Sequence, residues 1–149
     1  YPRAHCRDAG TGRVILCSGA FDGLHSGHLA YLEAARALFT DEPLVVAVAP
    51  DSYIRRNKGR DARWNQAQRA RVVAGLRVVD RVIEQADDSV AGTVRLLRPR
   101  ALVKGIDWAQ TLPADVTEAC REAGTLVAFT ETDELHCQGV DWGAIGGAL

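Results

Sequence analysis

Two histidines three residues apart, His25 and His28, close a segment SGAFDGLHSGH (residues 18–28) that also holds Gly19, Gly23, Gly27 and Asp22. Imidazole, carboxylate and glycine in so short a stretch suit an anion site. Glycines let backbone approach a ligand, and a helix starting behind them offers unpaired N–H groups and the positive end of its dipole. If that helix begins near Ser26, both rings face the same side and together suit a phosphate. An HxxH pair is also compatible with a metal-site fragment or with chance, although zinc would still lack Cys or Glu ligands at suitable spacing.

Other residues carry charge in patterns with more than one reading. Arg55, Arg56, Lys58, Arg60 and Arg63 form a cationic stretch; it is either a solvated loop or a segment that folds over a polyphosphate, with Trp64 as its anchor. Arg69 stands near Arg71 in a helical pattern and has a surface reading beside a functional one. Asp22, Asp107 and Trp108 have plain readings as turn and packing residues. Glu131, Asp133 and Glu134 form an acidic cluster that repels triphosphate unless it faces away or binds metal, and Asp133, Glu134, His136 and Cys137 are a weak candidate for a metal site.

Short strands alternating with helices must position these residues. RVILCSG (13–19), LVVAVA (44–49), RVIE (81–84), ALVKG (101–105) and TLVAF (125–129) are apolar runs of strand length. Helical patterns lie at 29–39, 66–77, 89–98 and 114–124, while 51–60 reads as the loop after the second strand. Continuous apolar strands separated by helices predict a parallel sheet covered on both faces, an α/β, Rossmann-like doubly wound fold of about five strands. In such sheets ligands bind beyond the carboxyl ends of the strands, where segment 18–28 falls. Residues 1–12 read as a loose lead-in, and 13–149 as a single domain.

Composition bounds the rest. With 149 residues, 18 Lys plus Arg against 19 Asp plus Glu, and 47% apolar residues, the chain is long enough for one ordinary core. A net charge of -1 excludes a generally basic nucleic-acid binder, so any phosphate site must be concentrated. The longest apolar run is too short for a bilayer and there is no secretory core at the N-terminus, which predicts a cytoplasmic protein without membrane partners. Cys6, Cys17, Cys120 and Cys137 form no CxxC pair and are expected as free thiols, two of them buried. A chain that starts at Tyr1 and contains no methionine is expected to be part of a longer polypeptide.

GxFDxxHxGH, from Gly19 to His28, resembles the defining motif of the HxGH nucleotidyltransferases, and the similarity extends through most of the chain. VVAVAPDSYIRRNKGR (45–60), NQAQRARVVAGLRVVDRVIE (65–84) and ALVKGIDW (101–108) are similar to later segments of that family, in particular to glycerol-3-phosphate cytidylyltransferases and to the adenylyltransferase half of ADP-heptose synthase. The resemblance implies transfer of CMP or AMP from an NTP to a small phosphorylated acceptor, with release of pyrophosphate. Mg²⁺ would accompany the NTP. It implies that His25 and His28 contact α- and β-phosphate oxygens, and that Lys58 and Arg69 hold the phosphate tail or the acceptor. Nucleotide contacts are implied at Gly19, Ala20, Phe21, Asp22, Gly27, Lys104, Gly105 and Asp107, base reading near Ile106, and a homodimer contact along RVVDRV (77–82).

At 130–139 the chain has TETDELHCQG where the family places a pattern like RTxGISTT. Glu131 replaces the expected cation, and His136, Cys137 and Gln138 replace hydroxyls. The alternative function is therefore a nucleotide-binding or assembly module of the same fold that has lost turnover.

Overall fold

The computed structural model describes residues 13–131. Five strands, β1 (Ile15–Gly19), β2 (Leu44–Val48), β3 (Arg81–Glu84), β4 (Ala101–Gly105) and β5 (Leu126–Thr130), form one sheet in the order β3-β2-β1-β4-β5. Every pairing is parallel. Between the strands run α1 (Ser26–Leu38), α2 (Asp51–Lys58), α3 (Gln66–Ala74), α4 (Ala91–Leu97) and α5 (Ala114–Ala123), with a short 3-10 turn at Ile106–Trp108.

Alternation along each strand divides the apolar side chains between two layers. Ile15, Cys17, Val46, Val48, Ala101 and Val103 pack against Leu32 and Ala35 of α1 and Ala70 and Val73 of α3. Leu16, Val45, Ala47 and Leu102 meet Ala91 and Val94 of α4 and Val116, Ala119 and Cys120 of α5 on the opposite face. The central strands are buried on both sides, so they read as unbroken apolar runs in the sequence. The fold is the doubly wound α/β arrangement expected.

One element differs from expectation. Residues 51–58 are helical, not a loop. The segment DSYIRRNK has a single buried apolar residue, Ile54, and no apolar stripe. Its helix is defined at its ends, by Pro50 in extended conformation before it and by Gly59 at φ 64° after it, a left-handed turn that suits glycine.

Going from β1 the chain crosses to β2 on one side, and from β4 it crosses to β5 on the other. The connections diverge between β1 and β4, which opens a crevice at the carboxyl ends of those two strands.

Candidate functional site

Segment 18–28 leaves the end of β1 and turns into α1. Phe21 takes the left-handed region (φ 52°) and is buried, its ring lying against Gly19 and 5.3 Å from the His28 ring. A β-carbon on Gly19 would stand 3.1 Å from that ring, so the close approach favours glycine there. His25 is the N-cap of α1: its Nδ1 accepts from Gly27 N at 3.1 Å, while His28 Nδ1 accepts from His25 N at 3.3 Å. Each histidine thus caps a backbone donor of the other's turn. An accepting Nδ1 places the proton of the neutral ring on Nε2, so each imidazole donates through Nε2. The rings are 3.9 Å apart at 31°. Burial, followed by the positive charges of His25 and Lys58, pushes the His28 imidazole down to about 4. At neutral pH His28 is an uncharged donor.

The connection from α2 to α3 is tied to this turn through Asp22. The Asp22 carboxylate accepts from Arg60 Nη1 at 2.6 Å and from the backbone N–H groups of Arg63 (3.1 Å) and Trp64 (3.3 Å). Burial raises its titration, but those donors outweigh burial and hold the carboxyl below its usual value. Asp22 therefore ties the 60–64 strap to the 18–28 turn. Within the cationic stretch, Arg55 pairs with Asp61 and Arg56 with Asp88. Lys58 ends α2, is exposed, and forms no ion pair among the described residues.

Arg69 faces the interior of the chain. It is 2% exposed; Nε donates to Trp64 O (2.9 Å), Nη1 to Ala20 O (2.6 Å) and Ala49 O (2.8 Å), and Nη2 pairs with Asp51 (2.6 Å). In this geometry it fastens the ends of three loops together.

A cleft of about 420 Å³ opens at the carboxyl ends of β1 and β4, on the α4 and α5 side, within the size range of small-ligand pockets. Lys104 of β4 lies at its base, 7% exposed, with Nζ donating to Ser18 O (3.3 Å) and Ser18 Oγ (3.2 Å) and lying 4.4 Å from the Trp108 ring centre. Burial, partly opposed by Cys17 and Asp107, pushes the ammonium down to about 8. Behind it, the Tyr31 hydroxyl donates to Val103 O at 2.5 Å, and burial pushes the Cys17 thiol up to about 12, which makes it unreactive. Asp107 is exposed on the 3-10 turn, its carboxylate so close to Gly105 that a β-carbon there would stand 2.5 Å from Oδ1.

The structure thus gathers the expected residues into two neighbouring groups. His25, His28 and Gly27 form the start of α1, with Lys58 near enough for its charge to act on His28. Gly19 and Lys104 line the cleft. Tyr53, Arg56, Asp88, Ser89 and Asp115 also line it and had no functional reading in the sequence beyond the shared cationic stretch. Their signal was position: Asp88 follows β3, and Asp115 starts the helix after β4. Cys17 and Cys120 are free and buried, as expected. Asp133, Glu134, His136, Cys137 and Gln138, like the lead-in with Cys6, fall outside the described residues. Among the described residues no helix is long and apolar enough to cross a membrane.

The cytidylyltransferase-like family matches residues 16–137. Bifunctional protein HldE of Coxiella burnetii (strain Dugway 5J108-111) is 36% identical over 117 residues, 78% of this chain and 24% of that protein. Bifunctional protein HldE of Alkalilimnicola ehrlichii is 42% identical over 97 residues, 64% of this chain and 20% of that protein. The chain therefore spans only about a quarter, or less, of the length of these curated relatives. The crystal structure of the lipopolysaccharide core biosynthesis protein from Thermoplasma volcanium GSS1 matches with a TM-score of 0.67 at 30% identity, over 82% of this chain and 100% of that one. A protein of unknown function from Archaeoglobus fulgidus shares the fold at a TM-score of 0.60 and 16% identity, over 84% of this chain and 96% of its own.

Proposed function

The chain belongs to the cytidylyltransferase-like family, and from that premise we propose that it is a nucleotidyltransferase moving CMP or AMP from an NTP to a small phosphorylated acceptor such as a sugar phosphate or glycerol phosphate. The observation that carries this reading is the pair of imidazoles capping α1, with Lys58 beside them and the Lys104 cleft next door.

In the proposed reaction an oxygen of the acceptor phosphate attacks the α-phosphorus in line. A new P–O–P linkage forms, the α–β bridging bond breaks, and its electron pair leaves with pyrophosphate. No covalent enzyme intermediate is needed. His25 and His28 donate from Nε2 to the α- and β-phosphate oxygens as charge builds there, and the N-terminus of α1 adds its dipole. Lys58 meets the phosphate tail. Lys104, at the base of the crevice, is placed where acceptor and α-phosphate must meet, while Gly19, Gly105 and Asp107 flank the nucleotide. Ala20 and Phe21 act through geometry, Ala20 by receiving Arg69 and Phe21 by packing on His28. Most of the gain comes from aligning two anions that repel each other.

Mg²⁺, brought by the NTP, would neutralise part of the phosphate charge. Such a cation is held largely by substrate oxygens and water rather than by a protein cage. We further place the protein in the cytoplasm, as a homodimer and as part of a longer polypeptide. In segment 77–82, Val79 and Val82 fill the chain's own core, and Asp80 accepts from Leu44 N and pairs with Arg36. A dimer contact there would rest on the remaining side chains, and light scattering at low protein concentration tests it: a monomer refutes it.

Pyrophosphate release with each NTP, Mg²⁺ and a panel of sugar and polyol phosphates tests the main reading. His28→Ala should lower turnover about a hundredfold with the fold intact. Nucleotide binding without pyrophosphate from any acceptor would refute it and leave a binding module without turnover.

A further inference from the structure

We propose that Asp88 is the specificity-determining residue of the cleft: its carboxylate takes a hydroxyl of the acceptor, so that a hydroxylated phosphate ester is accepted and one with a bare hydrocarbon arm is refused. This rests on the transferase reading above, in which the acceptor occupies the Lys104 cleft.

Asp88 carries an unspent acceptor. Asp88 follows β3 in a connection whose backbone is fixed from inside: buried Gln85 donates to the carbonyls of Asp87 (2.5 Å) and Asp88 (3.1 Å), and Gln66 donates to Gln85 O at 2.7 Å. The carboxylate lines the cleft and its side chain is 19% exposed. Oδ1 accepts from Ser52 Oγ at 2.5 Å. Oδ2 is buried and accepts no hydrogen bond among the described residues. Arg56 Nη1 lies 3.0 Å from Oδ2 as an ion pair, without the alignment of a hydrogen bond. A buried carboxylate oxygen lacking a donor is unusual and calls for one.

Arg56 is the exchangeable partner. Its side chain is 75% exposed, so the pair is held weakly and the guanidinium leaves at little cost. A polyol or sugar phosphate has the two groups that complement the separated pair. Its phosphate offers charge to Arg56 and Lys104, and a hydroxyl supplies the donor that Oδ2 lacks. The Trp108 ring, held over Lys104, gives the carbon skeleton a flat wall. A simple alkyl phosphate draws Arg56 away and gives nothing back to Asp88. Sites built to hydrogen-bond a hydroxyl reject analogues without one for this reason.

Glycerol 3-phosphate and n-propyl phosphate form a matched pair differing by two hydroxyls, and a panel of pentose, hexose and heptose 1-phosphates widens the test. With the wild-type chain, NTP and Mg²⁺, the best hydroxylated acceptor should exceed propyl phosphate in kcat/KM by at least about a hundredfold. In Asp88→Asn, which puts an amide donor where an acceptor is needed, that ratio should fall below about tenfold. KM for the NTP should stay within about twofold, which a general loss of structure would not allow. Equal use of propyl phosphate by wild type, or an undiminished ratio in Asp88→Asn, overturns the proposal. If no acceptor yields pyrophosphate, the transferase reading fails separately. Calorimetric binding of the same esters then decides the present point: tighter binding of a hydroxylated ester, lost in Asp88→Asn, supports it, and equal affinities overturn it.

Discussion

Lys104 is costly to the fold, and replacing it should show how costly. The ammonium is buried at the base of the cleft and titrates at about 8, against an ordinary 10.5. That displacement corresponds to about 3 kcal/mol of stability given up at neutral pH, where the lysine is charged in both folded and unfolded chains. Lys104→Met keeps the stem and removes the charge, at the cost of the two contacts to Ser18, about 1 kcal/mol. The net expectation is a gain of about 2 kcal/mol at pH 7, or a rise in Tm of about 4–8 °C. The sign with pH follows from the depressed titration. Between pH 8 and 10.5 the unfolded chain holds the proton more tightly, so wild-type stability climbs with pH and the advantage of Lys104→Met shrinks, passing through zero before 10.5 and leaving the variant about 1 kcal/mol less stable above it. Urea unfolding of both proteins across pH 7–11 reads this directly, because other alkaline effects cancel in the difference. Turnover should fall while stability rises. A variant that is less stable at pH 7, or whose advantage is constant up to pH 11, refutes the reasoning.

Three other outcomes follow from the same geometry. Arg69→Lys should destabilise by about 3 kcal/mol in urea unfolding, because one ammonium cannot reach the carbonyls of Ala20, Ala49 and Trp64 together; wild-type stability with loss of NTP binding alone would restore a direct phosphate role. Since His28 titrates at about 4 when folded and near 6.5 when unfolded, its contribution is complete above 6.5 and lost as pH falls to 4. His28→Asn should flatten the acid side of the stability curve by up to about 3 kcal/mol over that window, and parallel curves would refute this. Asp22→Asn should weaken the strap, seen as faster amide exchange at Arg63 and Trp64, whose N–H groups Asp22 holds; unchanged protection there would show that Arg60 and Trp64 hold the strap without it.

What could be read from the chain depended on whether the signal was local. The strands were legible because β1, β2 and β4 are buried on both faces and need only be apolar along their length. The histidine turn was legible because capping involves residues at most three apart. Helix α2 was missed because only Ile54 among its residues is buried, so its sequence shows charge without an apolar stripe. The inward pairing of Arg69 was not legible for a related reason. A single arginine on a helix gives no sign of which way it points, and the carbonyls that draw it inward belong to residues 20 and 49 positions earlier or to the turn before its own helix. Asp88 has meaning only once the order β3-β2-β1-β4-β5 brings the end of β3 to the same rim as Lys104.

The weak net charge of the chain sharpens the electrostatic problem. Two like charges about 4 Å apart repel by about 4 kcal/mol near a protein surface, so bringing an acceptor phosphate to an α-phosphate needs cations at the meeting point. A protein of net charge -1 cannot supply them through its overall field. The cationic stretch alone does not solve this, since Arg55, Arg56 and Arg60 are each matched to an aspartate. Those pairs fix the positions of side chains; they do not leave a standing positive field. In the proposed transferase the attraction instead falls to Lys58 on one side and Lys104 on the other, and to neutral donors that need no counter-charge, the His28 imidazole and the start of α1. Pairing the arginines keeps the resting site close to electroneutral, and a ligand bearing both anion and hydroxyl can then open one pair, Arg56 with Asp88, by satisfying both halves at once. In the proposed transferase, discrimination between acceptors and tolerance of their charge thus come from the same contact.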